Sequence, residues 1–137
     1  EGLGDDSGNY ADGNWHTVIV AVGRDFLVDF YVDGKLVKVA LGSSTSCDIS
    51  SRVPESLFIG RTKSTAVEHP QFVGLLDDVV IWKKFIKPSD VFHFATFHNV
   101  DIRNKDLVAY FKLDSSLRDF SENSNGLHSD KKVKFQQ

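Results

Sequence analysis

The chain has 137 residues, of which 41% are hydrophobic and 26% are charged, and its formal net charge at pH 7 is −3. This length suits one domain, and the hydrophobic content supports a packed core and excludes a disordered chain. The small negative charge excludes general attraction to nucleic acid or to an anionic membrane, and no apolar run approaches the roughly 20 residues that cross a bilayer. The sequence opens with Glu1 and contains no methionine, so we expect it to be part of a longer protein.

The first part of the chain predicts a loop and then three strands in a meander. Residues 1–14 are rich in glycine and aspartate and show no periodicity, which predicts a loop. Residues 15–22 and residues 26–32 are apolar runs that a short turn joins into a hairpin. Asp33-Gly34 is a tight-turn dipeptide that favours positive φ, and it leads into a third strand over residues 35–41.

The most apolar part of the sequence lies between Leu57 and Trp82. A short strand that starts at Leu57 and a polar loop precede a long strand over residues 72–82, in which only Asp77 and Asp78 interrupt the apolar run. Since side chains alternate across a strand, both faces of this strand are apolar. We therefore expect it to be an inner strand of a sandwich.

The rest of the chain predicts one helix and one further strand. Ser89 or Asp90 can cap a short helix. Residues 99–106 read as a polar connector, residues 107–114 predict a strand, and residues 133–135 predict a short strand in a polar tail. Several short strands with one small helix predict an all-β antiparallel sandwich.

The predicted core of this sandwich contains four large side chains, which are Trp15, Ile19, Phe30 and Ile59. Trp15 opens the first predicted strand. Removal of its indole should therefore cost about 3–5 kcal/mol of stability, as for a large aromatic in a core.

Five sequence blocks then carry a family resemblance by their order and spacing. They are residues 14–18, 30–37, 58–60, 72–79 and 86–91. Together they resemble the laminin G-like family. The resemblance implies an antiparallel jelly-roll sandwich of the concanavalin A-like type, which that family shares with the pentraxins.

A second group of blocks resembles the beginning of such a domain, although it stands at the end of this chain. It comprises residues 107–114, 119–121 and 125–128. In one organisation, residues 1–98 are the C-terminal part of a laminin G-like sandwich, residues 99–106 are a connector, and residues 107–137 start a second repeat. In the other, residues 107–137 are the permuted first strands of the same domain. We favour the first organisation, and the second stays open.

The resemblance implies a non-catalytic extracellular module of a larger multidomain protein, secreted or on an ectodomain, that binds glycan or protein through rim loops. Neighbouring domains of the same chain would be further partners, and a structural module that joins a large assembly is the alternative. A glycoside hydrolase of this fold needs two carboxylates that lie about 5–5.5 Å apart and face one glycosidic bond. Asp77 and Asp78 are adjacent and point to opposite faces of a strand, and no Glu-x-Asp-x-Glu occurs, so we expect no enzyme.

Three lysines, Lys83, Lys84 and Lys87, form a basic cluster after the long apolar strand. Such a cluster could contact a sulfated glycan, as in some laminin G-like modules, and a solvated surface is the alternative. The five histidines show no spacing typical of zinc ligands, so we expect surface or packing roles for them. Cys47 is the single cysteine, which predicts a buried thiol or a bridge to a residue outside this sequence.

The pentraxin side of the resemblance supplies candidate calcium ligands. Glu68 and Gln71 match the spacing of the last two ligands in the pentraxin loop. Residues 61–63, Arg-Thr-Lys, stand where further oxygens would be needed, and calcium takes six to eight oxygens. Asp114 and Asp119 are candidates for a laminin-type site at the other rim. We expect no cofactor and at most weak calcium binding.

Overall fold

The computed structural model describes residues 8–23, 27–41, 57–60, 72–84, 86–97, 99–129 and 134–135. Its elements, in chain order, are β1 (Val18–Val22), β2 (Leu27–Val32), β3 (Lys35–Leu41), β4 (Val79–Trp82), α1 (Pro88–Phe97) and β5 (Leu107–Phe111). Two antiparallel sheets, β1-β2-β3 and β4-β5, and one short helix confirm the predicted all-β class. No helix in these ranges is long and apolar enough to cross a membrane.

The three-stranded sheet is the predicted meander. β1 pairs with β2 over all five of its residues. The turn between β2 and β3 has positive φ at both central residues, 49° at Asp33 and 80° at Gly34. The twist of such a turn matches the twist of paired strands, so the Asp-Gly dipeptide sets the register of this hairpin.

The main apolar core lies between the inner face of this sheet and α1. Ile19 and Ala21 lie on the inner face of β1, as alternation requires, and pack with Tyr31 of β2. Val91 of α1 has no exposed surface and completes the cluster. The helix therefore covers this face of the sheet, with Val91 as its fully buried residue.

α1 begins just before the residues that were predicted to cap it. Pro88 is its first residue, a position that suits proline because the first N–H of a helix has no partner within it. The carbonyl of Lys87 accepts hydrogen bonds from the N–H groups of Asp90 at 2.8 Å and Val91 at 3.1 Å. Ser89 and Asp90 lie in the first turn, where the carboxylate of Asp90 faces the positive end of the helix dipole.

The two-stranded sheet joins distant parts of the sequence. β4 and β5 pair antiparallel, from Val79 opposite Phe111 to Trp82 opposite Leu107. Four of the five residues of β5 are buried. The sheet thus combines one strand from each of the two predicted segments, and the division of the chain into two repeats stays a prediction.

The predicted strand over residues 72–82 is wrong in its extent. Only its last four residues form β4, and residues 72–77 are exposed, with Val73 at 94%. Asp78 has a φ of 47°, which interrupts the extended backbone directly before β4. Residues 57–60 form no strand either. Within the described ranges no strand lies beside residues 72–76, and their apolar pattern joins neither of the two described sheets.

The predicted core position of Trp15 is also wrong. Trp15 is 64% exposed, whereas Ile19, Phe30 and Ile59 are half-buried. β1 begins only at Val18, so Trp15 lies in the segment that leads into the strand. The large stability loss expected for its truncation therefore does not apply to this structure.

Val91→Ala should lower the free energy of unfolding by about 2 kcal/mol, because it removes two methyl groups from a fully buried side chain and leaves a cavity. Val73→Ala removes the same atoms from a side chain that is 94% exposed and should change stability by less than about 0.5 kcal/mol. Urea unfolding followed by circular dichroism measures both values. Equal effects would show that α1 does not cover the core as described.

Candidate functional site

A cleft of about 1430 Å³ lies beside the two sheets. β1 forms one wall, and β4 with the residues after it forms another. We call it the inter-sheet cleft, and its lining consists of residues 17–23, Leu57, Asp78, residues 80–84, Ile86, Phe94 and Val100. Most of these side chains are apolar, as in sites that bind by burying apolar groups.

The β1 wall of the cleft combines apolar side chains with an open strand edge. Val18, Val20 and Val22 point away from the core and are 64%, 53% and 57% exposed. β1 is at the edge of its sheet, and no described strand pairs with its outer side. Such an edge offers both backbone hydrogen bonds and apolar surface to another chain.

The β4 wall carries an aromatic pair with a lysine over it. The rings of Trp82 and Phe94 have centroids 5.8 Å apart. Nζ of Lys84 lies 5.0 Å from the centroid of the Trp82 ring and 5.8 Å from that of Phe94. The attraction between the ammonium group and the ring faces holds this lysine against the aromatic pair.

Two of the three lysines predicted to bind a ligand, Lys83 and Lys84, line the cleft. Lys83 is exposed, and Lys84 is half-buried over the aromatic rings. Lys87 is exposed at the start of α1 and does not line the cleft. Asp78 lines the same cleft. The cleft therefore carries both negative and positive side chains, whereas a sulfated glycan favours a uniformly basic surface. The three-lysine site stays a prediction.

The predicted calcium ligands that the structure describes differ in their burial. Glu68 and Gln71 lie outside the described residues. Asp114 is exposed and Asp119 is buried. Across the part of the chain that the structure describes, no three His, Cys, Asp or Glu side chains are grouped to hold a metal ion. Weak calcium binding at most therefore stays a prediction.

Asp119 is a buried acceptor of four hydrogen bonds, with only 6% of its surface exposed. Its Oδ1 accepts from the N–H groups of Tyr110 at 2.9 Å and Ser121 at 2.8 Å. Its Oδ2 accepts from the hydroxyl of Ser121 at 2.8 Å and the N–H of Asn125 at 2.7 Å. Burial by itself raises the pKa of this carboxyl, but the hydrogen bonds outweigh burial and lower the pKa to about 2. The carboxylate thus organises the backbone around it.

The side chains that follow cover the outer edge of β5. The side-chain amide of Asn123 donates to the carbonyl of Leu107 at 2.8 Å, and that of Asn125 donates to the carbonyl of Val108 at 2.7 Å. β5 therefore has one edge paired with β4 and the other covered by residues 119–125. The sequence signal for the segment that covers β5 is a polar residue at every second position from 119 to 125. A prediction based on apolar periodicity does not detect this signal.

A second polar cluster fixes the loop before β1. Nδ1 of His16 lies 2.8 Å from Oδ2 of Asp33, and Nε2 lies 3.0 Å from Oδ1 of Asp12. Asp33 also accepts the N–H of Thr17 at 2.9 Å, and Asp12 accepts from both the N–H and the side-chain amide of Asn14. The cluster therefore ties this loop to the β2–β3 turn.

The charge state of this cluster follows from its geometry. Both ring nitrogens of His16 can donate only when the imidazole is protonated. Hydrogen bonds to Asp33 and then to Asp12 raise the pKa of His16, and the bond with His16 lowers the pKa of Asp33. Hydrogen bonds from Asn14, followed by that from His16, lower the pKa of Asp12. The two carboxylates bind opposite nitrogens and so do not converge on one metal position. No motif spacing relates these residues, and the sequence predicted only a surface or packing role for His16.

The adjacent carboxylates of Asp77 and Asp78 serve different partners. Oδ1 of Asp78 accepts the hydroxyl of Tyr110 at 2.7 Å, and Oδ1 of Asp77 accepts the N–H of Asp78 at 3.0 Å. Burial, then the bond to Asp78, and then the charges of Asp78, Asp114 and Asp77 raise the pKa of Tyr110 well above its usual value. The phenol therefore stays protonated and donates to Asp78.

A laminin G-like family model, described as the concanavalin A-like lectin/glucanases superfamily, matches residues 3–92, which confirms the resemblance drawn from the sequence blocks. The match includes β1 to β4 and the start of α1, and β5 lies beyond it. A similar solved structure is the S-layer domain-containing protein (residues 221-444) from Clostridium thermocellum ATCC 27405, with 20% identity and a TM-score of 0.49. That alignment covers 62% of this chain and 41% of the other, so this chain spans about two fifths of its length. No curated protein matches the sequence.

Asp119→Ala should lower the free energy of unfolding by about 3–4 kcal/mol, because it leaves buried donors without an acceptor and uncovers the edge of β5. Asp114→Ala, at an exposed carboxylate, should stay within about 0.5 kcal/mol of the parent. Because the pKa of Asp119 is lowered from 3.8 to about 2, its contribution is complete above pH 4 and is lost as the pH falls towards 2. Urea titrations at pH 7 and pH 2.5 test both statements. Two variants of equal stability would contradict the assigned role.

The His16 cluster should be tightest in a window between about pH 4 and pH 6.5. The pKa of His16 is raised in the folded chain, so its contribution is present below 6.5 and is lost as the pH rises through the folded value. The pKa values of Asp12 and Asp33 are lowered, so their contribution is present above 3.8 and is lost on further acidification.

Amide-exchange protection of Asn14 and Thr17, measured from pH 4 to pH 9, reports on this cluster, because both N–H groups bind its carboxylates. Protection should fall as His16 deprotonates. In His16→Gln the fall should be absent, since glutamine does not titrate. A pH profile shared by both proteins would show that His16 does not control this loop.

Proposed function

We propose that this chain, which belongs to the concanavalin A-like lectin/glucanases superfamily, is a non-catalytic recognition and adhesion module of a larger extracellular protein. Its ligand is another protein, which binds in the inter-sheet cleft. The observation that carries this proposal is the outward face of β1, where three valines are more than half exposed along a strand edge that pairs with no described strand.

The chemistry of the β1 wall favours protein over glycan. Valine side chains bind by leaving water, at roughly 25 cal/mol per Å² of apolar surface buried. A glycan site instead needs several amide, hydroxyl or carboxylate groups that pair with sugar hydroxyls. Along residues 17–23 only Thr17 offers such a side chain. Lys83 and Asp78 would then supply polar contacts at the border of an apolar interface.

The absence of catalysis is part of the proposal, although glucanases belong to the same superfamily. A retaining glycoside hydrolase needs two carboxyl groups about 5–5.5 Å apart that face one glycosidic bond. Asp78 accepts the hydroxyl of Tyr110, and Asp77 is exposed and accepts the N–H of its neighbour. The absence of Glu-x-Asp-x-Glu from the sequence supports the same conclusion.

Glycan recognition is the second candidate function, and the loop before β1 favours it. Trp15 is 64% exposed and Tyr10 is 38% exposed. Asp12 and His16 hold the loop between them in one arrangement. Exposed aromatic rings beside amide and carboxylate groups can stack on a sugar ring and bond its hydroxyls.

We extend the proposal to the organisation of the chain, in which residues 107–129 act as the permuted first strands of the same domain. The pairing of β5 with β4 supports this, as does the cover that residues 119–125 place over the other edge of β5. A strand that is paired on one side and covered on the other has no edge left for a second sandwich.

Binding to a panel of purified extracellular-matrix proteins and to a glycan array tests the function. Val20→Asp places a charge on the β1 wall at a side chain that is 53% exposed, so the fold should tolerate it. We expect at least a tenfold loss of protein binding, because the carboxylate would have to be buried in an apolar interface.

Trp15→Ala is the matched variant on the other surface and should leave protein binding unchanged. Glycan binding that is lost in Trp15→Ala and kept in Val20→Asp would favour the second candidate. Hydrolysis of a β-glucan by the purified chain would overturn the non-catalytic assignment.

A further inference from the structure

We propose that the protein partner at the β4 wall of the inter-sheet cleft is a second copy of this chain, which adds its own β4 antiparallel to the open edge of β4. The two copies would be related by a two-fold axis and would form a continuous four-stranded sheet, β5-β4-β4-β5. This rests on the proposed function, since it names one protein that uses the cleft.

The open edge of β4 is the first observation. β4 pairs with β5 on one side, and no described strand pairs with its other side. The far edge of β5 is covered by residues 119–125, so the outer edge of β4 is the edge of this sheet that no described residue occupies. Val80, Ile81 and Trp82 of β4 line the cleft, which leaves space beside this edge.

The charge pattern around β4 selects the partner and its direction. The sequence from residue 77 to residue 84 is Asp-Asp-Val-Val-Ile-Trp-Lys-Lys, with two acids before the strand and two bases after it. Antiparallel pairing of two copies about a two-fold axis at Val80 places Asp77 of each copy opposite Lys83 of the other, whereas parallel in-register pairing places like charges together. The same stretch thus complements itself under two-fold symmetry, as an isologous interface requires.

Two of these four charged residues have side chains that are exposed to a partner. Asp77 and Lys83 are exposed. Asp78 is bound to the hydroxyl of Tyr110, and Lys84 lies over the rings of Trp82 and Phe94. The exposed pair therefore gives the direction of pairing, while the apolar strand between them supplies surface to bury.

β1 is an equally open edge but lacks this information. Its five residues are uncharged, and it is flanked by Thr17 and Gly23. An edge of this kind accepts a strand without specifying its direction or identity. β4 is therefore the edge that a second copy recognises.

Sedimentation equilibrium of the purified chain between 5 and 500 µM tests the proposal. A short strand pair buries less than a standard interface, so we expect a dimer with Kd on the order of 10–100 µM. Lys83→Glu and Asp77→Lys should each weaken the dimer about tenfold, because each places like charges opposite one another at two symmetric positions. The double variant restores opposite charges and should return to within about threefold of the parent.

Lys35→Glu is the matched control, since it makes the same charge reversal at an exposed residue of the β2–β3 hairpin and should not change the dimer. A chain that stays monomeric at 500 µM would overturn the proposal. A double variant whose dimer Kd is no lower than that of the two single variants would also overturn it. A monomer that still binds matrix proteins through Val20 would overturn this inference alone and leave the proposed function standing. If the dimer forms but Val20→Asp leaves the binding of matrix proteins unchanged, the proposed function is overturned and this inference stands.

Discussion

The backbone groups at the edges of the two sheets are the constraint on which the rest of this structure depends. An edge strand must have its N–H and C=O groups satisfied by water, by side chains or by another strand. β5 uses a second strand on one side and the side chains of Asp119, Asn123 and Asn125 on the other. β1 and β4 line one cleft with their outer edges unpaired in the described residues. This contrast separates the edge that the chain satisfies with its own side chains from the two edges on which the proposed binding depends.

Carboxylates do most of the local organisation, and they do so by accepting backbone hydrogen bonds. Asp119 holds the N–H groups of three residues around β5, and Asp33 holds Thr17 while it also binds His16. A buried carboxylate with several donors is stabilised in its charged form, and its pKa falls accordingly. Both carboxylate oxygens of Asp119, a candidate calcium ligand, accept hydrogen bonds from the chain itself, and calcium binding there stays a prediction.

The sequence predicted those features that local chemistry determines. The Asp33-Gly34 turn requires positive φ at two successive residues, and this alone defines the β2–β3 hairpin. The errors arose where a pattern needs a distant partner. The apolar run before Asp78 satisfies the rule for an inner strand, yet no described strand lies beside it, and Trp15 stands three residues before its strand begins. The sequence did not predict the cluster of Asp12, His16 and Asp33 for the same reason. The hairpin brings these residues together although no periodic spacing relates them.

In the interface that we propose at the inter-sheet cleft, affinity and selectivity come from different residues. The valines of β1 and the apolar residues of β4 favour any apolar surface, since burial of such side chains is not directional. Charged residues at the border distinguish one partner from another, because a like-charge contact raises the free energy of a wrong pairing more than a correct contact lowers that of the right one. In this chain Asp77 precedes β4 and Lys83 follows it. A second copy of β4 in antiparallel orientation therefore meets opposite charges at both ends, whereas a strand with another charge pattern meets like charges. An edge with these two properties can be strongly apolar and still discriminate, which is what a module that mediates adhesion between copies of one protein would require.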